Sequence, residues 1–339
     1  MITKAAYDTL KAMQISSWQD ELRNTIRDPN ELLRQLGISP LTVALAKKSL
    51  QTFPLRVPAN FVARMQKNNI DDPLLQQVLP LSNEESNVAG FLRDPLDELN
   101  KQTTAGVLHK YYGRALLVTT GVCAIHCRYC FRRHFPYTEE NASKQNWQDA
   151  VKYIAQDHTI TEVILSGGDP LALHDEKLAD LIMLLEEIPH LRRLRIHTRM
   201  PVIIPSRITD PLLSKLTETR LKTVMVVHVN HPNEIDNQAA LALKKLSQAR
   251  LSVLNQSVLL KKVNDRMEPL LELSERLFDC DVLPYYLHML DPVAGASHFN
   301  VTEQKAREIM QDLRAHLPGY LVPRLVREQP GAAYKIPVL

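Results

Sequence analysis

From Arg114 onward, short runs of β-branched and other apolar residues alternate with longer stretches whose apolar positions recur every three to four residues. That alternation is the pattern of strand–helix units building a parallel sheet. Six strands are predicted, near 115–119, 162–166, 194–197, 223–228, 252–257 and 282–288, with helices at 177–187, 234–248 and 267–278 between them. A further helix over 302–316 and an apolar run over 320–326 follow. Six units are fewer than the eight of a closed (β/α)8 barrel, so the α/β pattern reads as an open, partial (β/α)6 barrel. Ahead of it, residues 1–95 read as a helical N-terminal region, apolar-periodic over 18–36 and 40–50 and interrupted by Pro54, Pro58 and Pro73. A boundary near 93–99, marked by Pro95, then separates 1–95 from a barrel over 96–339.

Composition narrows the class. With 339 residues, 45% hydrophobic and 23% charged, the chain can bury one large core with an appendage. A net charge of +3, with basic residues dispersed, does not predict nucleic-acid binding. No run approaches the ~18–20 apolar residues of a membrane span, and the opening MITKAAYDTL has no apolar stretch behind its lysine. A cytoplasmic enzyme is expected.

The densest chemistry is CAIHCRYC, which places Cys123, Cys127 and Cys130 within eight residues. Three thiolates can hold a four-iron cluster while leaving one iron open, whereas ferredoxin-type clusters take four cysteines. The competing reading is a tetrahedral Cys3His zinc site completed by His126 or His134. Cys280 lies far away and reads as a packed thiol. An open iron cluster requires a reducing compartment.

Polar groups collect after the predicted strands, where ligands bind in parallel α/β folds. Ser166-Gly167-Gly168-Asp169-Pro170 follows the second strand, His197-Thr198-Arg199 the third, and His228-Val229-Asn230-His231 the fourth, while Asn255-Gln256-Ser257 ends the fifth. All are expected to point into one mouth.

The C-x3-C-x2-C spacing resembles the radical S-adenosylmethionine (SAM) superfamily. The segments HKYYGR (109–114), CRYCFRR, SGGDP, NHPNE (230–234), NQSVLL and PGAAYK (330–335) are similar to the lysine 2,3-aminomutases, over a stretch from about residue 95 to the end. The resemblance implies a [4Fe-4S] cluster on Cys123, Cys127 and Cys130, and SAM held with help from Ser166, Gly167, Gly168, Asp169, His197 and Gln256. It implies pyridoxal 5'-phosphate (PLP) joined to Lys335, with its phosphate near Lys110, Tyr111 and Arg114. It further assigns the lysine carboxylate to Arg132 and the distal ammonium to Asp291 and Glu328, two acids that would disfavour a glutamate substrate.

The reaction so implied is conversion of L-α-lysine to β-lysine, expected as the (R) isomer, by 1,2-amino migration. The resemblance is strongest to the bacterial group that supplies β-lysine for modification of elongation factor P. It therefore implies a functional link to elongation factor P and its lysyl ligase, an electron donor such as flavodoxin or ferredoxin, and a homo-oligomer. The chain departs from the family pattern at three points: Ala332, Ala333 and Tyr334 stand where glycines are usual, Lys110 replaces an arginine, and Glu328 replaces an aspartate. Two other readings stay open at this stage: a radical SAM enzyme acting on another amino acid or without PLP, and a non-enzymatic iron–sulfur or zinc protein.

Overall fold

The structure is a computed structural model, and it describes residues 17–104, 106–137 and 144–339. Ten strands form one sheet in sequence order: β1 (Gln102–Thr104), β2 (Val107–Tyr111), β3 (Arg114–Thr120), β4 (Glu162–Gly167), β5 (Arg193–Thr198), β6 (Lys222–His228), β7 (Ser252–Val258), β8 (Leu283–His288), β9 (Arg324–Arg327) and β10 (Ile336–Pro337). The pairs from β3 to β9 are all parallel. Antiparallel hairpins flank them, β1–β2–β3 on one side and β9–β10 on the other. The two ends of the strand order do not pair, so the barrel is open as expected. The six predicted strands are present, and a seventh parallel strand, β9, grows from the end of the apolar run at 320–326.

Helices cover the outer face of the sheet because their apolar stripes require it. Asp175–Glu186 buries Leu178, Leu181, Ile182 and Leu185, spaced three and four apart so that they fall on one side of the helix. Burying each leucine fully contributes about 1.5–3 kcal/mol, and Leu181→Ala would cost about 2–5 kcal/mol. Thr302 caps Glu303–His316 by accepting from Lys305 N, and Asp236 caps Asn237–Gln248 by accepting from Ala239 N. The second helix thus starts three residues later than its apolar periodicity suggests, because Pro232–Glu234 forms a separate 3-10 turn.

The N-terminal region breaks into short pieces. The apolar-periodic segment over 18–36 forms two helices, Trp18–Arg23 and Pro29–Gln35. Between them Ile26 pairs with Val57 in an isolated bridge, and Asp28 with Pro29 at the first helical position restarts the helix. Residues 1–16 lie outside the described residues. One apolar cluster runs from Trp18, Leu32 and Phe61 through Leu117, Leu181 and Val227 to Val282, so this region and the barrel share a core. Among the described residues, no helix is long and apolar enough to cross a membrane.

Candidate active site

Strand periodicity decides which side chains enter the barrel. Alternate residues of a strand face opposite sides, and one cavity is lined by Leu116 of β3, Ile164 and Ser166 of β4, Arg195 and His197 of β5, and His228 of β6. Gln256 of β7 and Tyr286 and His288 of β8 complete that wall. The same cavity is lined by Cys123, Cys127, Cys130, Arg132, Gly167, Gly168, Asp169, Lys110, Tyr111, Arg114, Asp291, Glu328 and Lys335. Every residue that the family resemblance assigns to the site therefore lines one cavity.

The alternation also corrects part of the expected mouth. Asn255 and Ser257 flank Gln256 and face away from the cavity, where Asn255 pairs with the backbone of Val229 and with Ser257. Asn230 is buried against Gln77 and Tyr129. His231 caps the 3-10 turn at Pro232–Glu234. These four residues hold loops in position and do not line the cavity. Of the two polar clusters, only His228 and Gln256 face inward, and they contact each other.

The cysteine loop is pinned from behind by the N-terminal region. His126 N donates to Arg56 O at 2.9 Å and Arg128 N to Gln77 O at 2.9 Å. Glu84, fully enclosed, accepts from Arg128 at 2.8 and 2.5 Å and from Arg133 at 2.6 Å. The rings offered for a zinc site are engaged elsewhere: His126 Nδ1 meets Pro54 O at 2.8 Å and stacks on Phe53, and His134 Nε2 meets Ala294 O at 3.1 Å. Each ring keeps its other nitrogen open, yet among the described residues no group of three or more His, Cys, Asp or Glu side chains is placed to hold a single metal ion.

The three thiols are close enough to repel one another as thiolates. Burial first, then the charge of Cys127, pushes Cys130 up to about 11, and burial with the charges of Cys130, Asp169 and Cys127 raises Cys123 well above the usual thiol range. Three sulfurs gathered at one cavity wall fit the ligand set of an iron–sulfur cluster, which binds cysteine as thiolate.

The glycines of SGGDP are required by the neighbouring backbone. A Cβ on Gly168 would lie 2.5 Å from Val122 O, and one on Gly167, whose φ is +104°, would lie 2.7 Å from Val118 Cγ1. Gly168 N donates to Thr120 O at 2.7 Å and Asp169 N to Val122 O at 2.8 Å, so β4 ends flush against the start of the cysteine loop. Gly167 O accepts from Tyr137 Oη at 2.7 Å. The Asp169 carboxylate accepts from Leu171 N, Arg199 N, Met200 N and Thr198 Oγ1, which ties the β4 and β5 loops together.

Along the rest of the cavity wall the charges alternate. Lys335 Nζ donates to Glu328 at 2.6 Å; Lys110 lies 3.4 Å from Glu328 and 2.9 Å from Glu98; and Glu98 takes Arg132 Nε and Nη2 at 2.7 and 2.9 Å. Tyr111 Oη donates to Glu328 at 3.2 Å, so side chains of β2 and the end of β9 bridge the open seam that no backbone pair closes. Burial opposes ionisation of Glu328, but Lys335 and Lys110 outweigh it and hold its carboxyl well below the usual range. Burial, reinforced by the charge of Glu328, pushes Asp291 up to about 7. Two neighbouring carboxylates are thus driven apart in acidity.

Glu98 was not among the predicted site residues, because its segment reads as a weak boundary with no motif. Half-buried His197 and His228 and buried His288 are held neutral, by desolvation first and then by nearby cations that in all three cases include Lys335. His197 Nε2 and His288 Nε2 are buried with no hydrogen-bond partner among the described residues. Buried polar atoms of this kind ordinarily have partners, and here both histidines share one cavity with Lys335, Lys110, Tyr111 and Arg114. An amine, two orphaned ring nitrogens and a cationic rim fit an anionic heteroaromatic cofactor such as PLP.

The Radical SAM superfamily pattern matches residues 117–274. The chain is 47% identical to the L-lysine 2,3-aminomutase of Escherichia coli over 331 residues, covering 97% of this chain and 96% of that protein. It is 50% identical to the protein of the same name from Haemophilus influenzae over 319 residues, 94% of each chain. It is 45% identical to the one from Buchnera aphidicola over 328 residues, 96% of each.

Proposed function

The chain belongs to the L-lysine 2,3-aminomutase family of radical SAM isomerases, and from this we propose that it converts L-α-lysine to β-lysine with a [4Fe-4S] cluster, SAM and PLP. The observation that carries the reading is the convergence of Cys123, Cys127, Cys130, Arg132, Asp291, Glu328 and Lys335 on one cavity. When bound, the cluster and SAM supply a carbon radical that removes a hydrogen from substrate, and PLP supplies the π-system over which the amino nitrogen migrates. The protein's part is to grip and orient.

Arg132 is suited to the substrate carboxylate. Glu98 occupies its Nε and Nη2 atoms, while Nη1 donates to Ser166 Oγ at 3.2 Å, so the guanidinium is held from one edge and presents the other to the cavity. A planar fork with two usable edges can do this where an ammonium cannot. Asp291 and Glu328 supply carboxylates for the distal ammonium. Glu328 already holds a primary ammonium in Lys335, the chemical group that a lysine substrate would bring. Lys110, Tyr111 and Arg114, the last lying 4.7 Å over the Tyr111 ring, form a basic patch for the PLP phosphate. Ser166 and the loop that Gly167, Gly168 and Asp169 shape sit beside the thiols to receive SAM, with His197 and Gln256 on the adjoining wall.

The reading extends to the (R) product and to a role in supplying it for modification of elongation factor P by a lysyl ligase, supported by identities near one half to the bacterial relatives over almost their whole length. It also includes an electron donor of the flavodoxin or ferredoxin type, a homo-oligomer, and a cytoplasmic setting in which three thiols stay reduced. Protein reconstituted anaerobically with iron and sulfide, given SAM, PLP, reductant and L-lysine, is expected to form β-lysine resolvable by chiral chromatography. Turnover of glutamate with none of lysine would overturn the assignments of Asp291 and Glu328.

A further inference from the structure

Two motifs in the chain, the arginine of His197-Thr198-Arg199 and NHPNE, reach no substrate group assigned above, yet they meet beneath the cysteine loop. Arg199 is buried, and both terminal nitrogens of its guanidinium are bonded, while Nε has no partner among the described residues. Nη1 donates to Cys127 Sγ at 2.8 Å and to Tyr129 Oη at 2.9 Å; Nη2 donates to Glu234 Oε2 at 2.7 Å and to Gln77 Oε1 at 3.2 Å. Asn230 closes the ring, donating to Tyr129 Oη at 2.6 Å and to Gln77 Oε1 at 3.0 Å. Gln77 in turn donates to Glu234 Oε1 at 3.1 Å. Four parts of the chain therefore hold one positive charge against one sulfur: the N-terminal region, the cysteine loop, and the loops after β5 and β6.

We propose that Arg199 sets the reduction potential of the iron–sulfur cluster through Cys127, with Glu234 as the counter-charge that limits its effect. The proposal rests on the cluster reading above. One-electron reduction adds a negative charge to the cluster, drawn from an external one-electron reductant. A buried cation hydrogen-bonded to a ligand sulfur stabilises the reduced state more than the oxidised one, since hydrogen bonds to sulfur and local charge are among the levers on cluster potential. Low local dielectric strengthens the effect, and the fixed guanidinium needs no rearrangement when the electron arrives. The neighbouring carboxylate acts with the opposite sign. Arg199 is thus a positioning residue, acting through Cys127.

The test is a dithionite titration of the reconstituted protein, monitored by electron paramagnetic resonance of the reduced cluster. Arg199→Gln combined with Glu234→Gln removes the pair without stranding a buried carboxylate. Because the guanidinium is the nearer charge, this double variant is expected to lower the ratio of reduced to oxidised cluster about tenfold at fixed ambient potential, equal to about 59 mV for one electron. Glu234→Gln alone is expected to shift the ratio the other way, a change of sign that a merely structural role would not give. A midpoint unchanged in both variants, with native iron and sulfide content, overturns the proposal. If the double variant fails to hold a cluster, Glu234→Gln alone decides, and a midpoint that stays put or falls overturns it. Native protein that takes up no four-iron cluster would defeat the cluster reading itself, a failure distinguishable by iron and sulfide analysis.

Discussion

Lys335 and Glu328 stand at the two ends of the turn between β9 and β10 and are joined by a 2.6 Å ion pair. The turn relies on Gly331, whose φ of +80° is readily adopted only by glycine. Ala332, Ala333 and Tyr334, where the family pattern favours glycine, still deliver the lysine amine into the cavity. The hairpin thus brings together the amine that would carry PLP and an acid that would take the substrate's ammonium.

Lys335→Ala is therefore expected to abolish the visible absorbance of bound PLP and reduce β-lysine formation to background. Lys335→Arg, which keeps a cation beside Glu328, is expected to restore stability but neither absorbance nor turnover. Absorbance spectroscopy and thermal melts separate the two effects. Retention of the PLP band in Lys335→Ala would refute the role of this lysine.

Asp291 gives the site a pH dependence. Its carboxyl titrates at about 7 in the folded protein against an ordinary 3.8, and the charged groups facing it are Glu328, Lys335, Lys110 and Glu98. A distal ammonium is better held when Asp291 is ionised, so kcat/KM for lysine is expected to rise through pH 7 and level off above it. Asp291→Asn should flatten that limb and raise KM. Stability carries the opposite sign. The folded protein keeps a proton between pH 4 and 7 that the unfolded chain releases, so the contribution of this group is full below about pH 4 and is lost as pH rises through about 7. Asp291→Asn is expected to raise Tm more at pH 8 than at pH 4.

Much of this arrangement was legible in the chain because strand period is so regular. Apolar runs ending in His197, His228 and His288 marked strands that finish at one rim, and the cysteine spacing marked the loop that follows the first parallel strand. What the pattern did not carry was long-range pairing. Glu98 lies in a stretch without periodicity, and only the fold brings it to Arg132 and Lys110. Asn255 and Gln256 look alike in sequence, but which of them faces ligand depends on the side of β7 it leaves, while Asn230, past the end of β6, is turned away by its bonds to Gln77 and Tyr129. The hairpins at the two sheet edges were missed for a related reason, since strands of two to five residues hold too few positions to show alternation.

The contact between SGGDP and the cysteine loop predicts a sharp effect from one methyl group. In Gly168→Ala the added carbon would press on Val122 O, Gly121 C and Thr120 O, all backbone, so neither side can yield without moving the cysteine loop. Overpacking of this kind costs about 1–3 kcal/mol, and iron content after reconstitution is expected to fall well below that of the native protein. Gly319→Ala is the control, because its added carbon meets nothing within 4 Å. Equal iron content in the two variants would refute the coupling.

Arg132 and Glu98 make the final case, in which geometry separates binding from folding. Glu98→Ala removes one partner of a buried ion pair and leaves both Arg132 and Lys110 with less compensation, so a loss of about 3–5 kcal/mol in stability is expected. Arg132→Lys keeps the charge near Glu98 but has no second edge for a carboxylate. Loss of a charge-assisted hydrogen bond of about 1.5–3 kcal/mol corresponds to a KM for lysine raised roughly tenfold to a hundredfold. Because the variant retains a cation against Glu98, its Tm should lie closer to native than that of Glu98→Ala. Chemical denaturation and steady-state kinetics on the same preparations test this split, and a KM for Arg132→Lys equal to the native value would remove Arg132 from the substrate site.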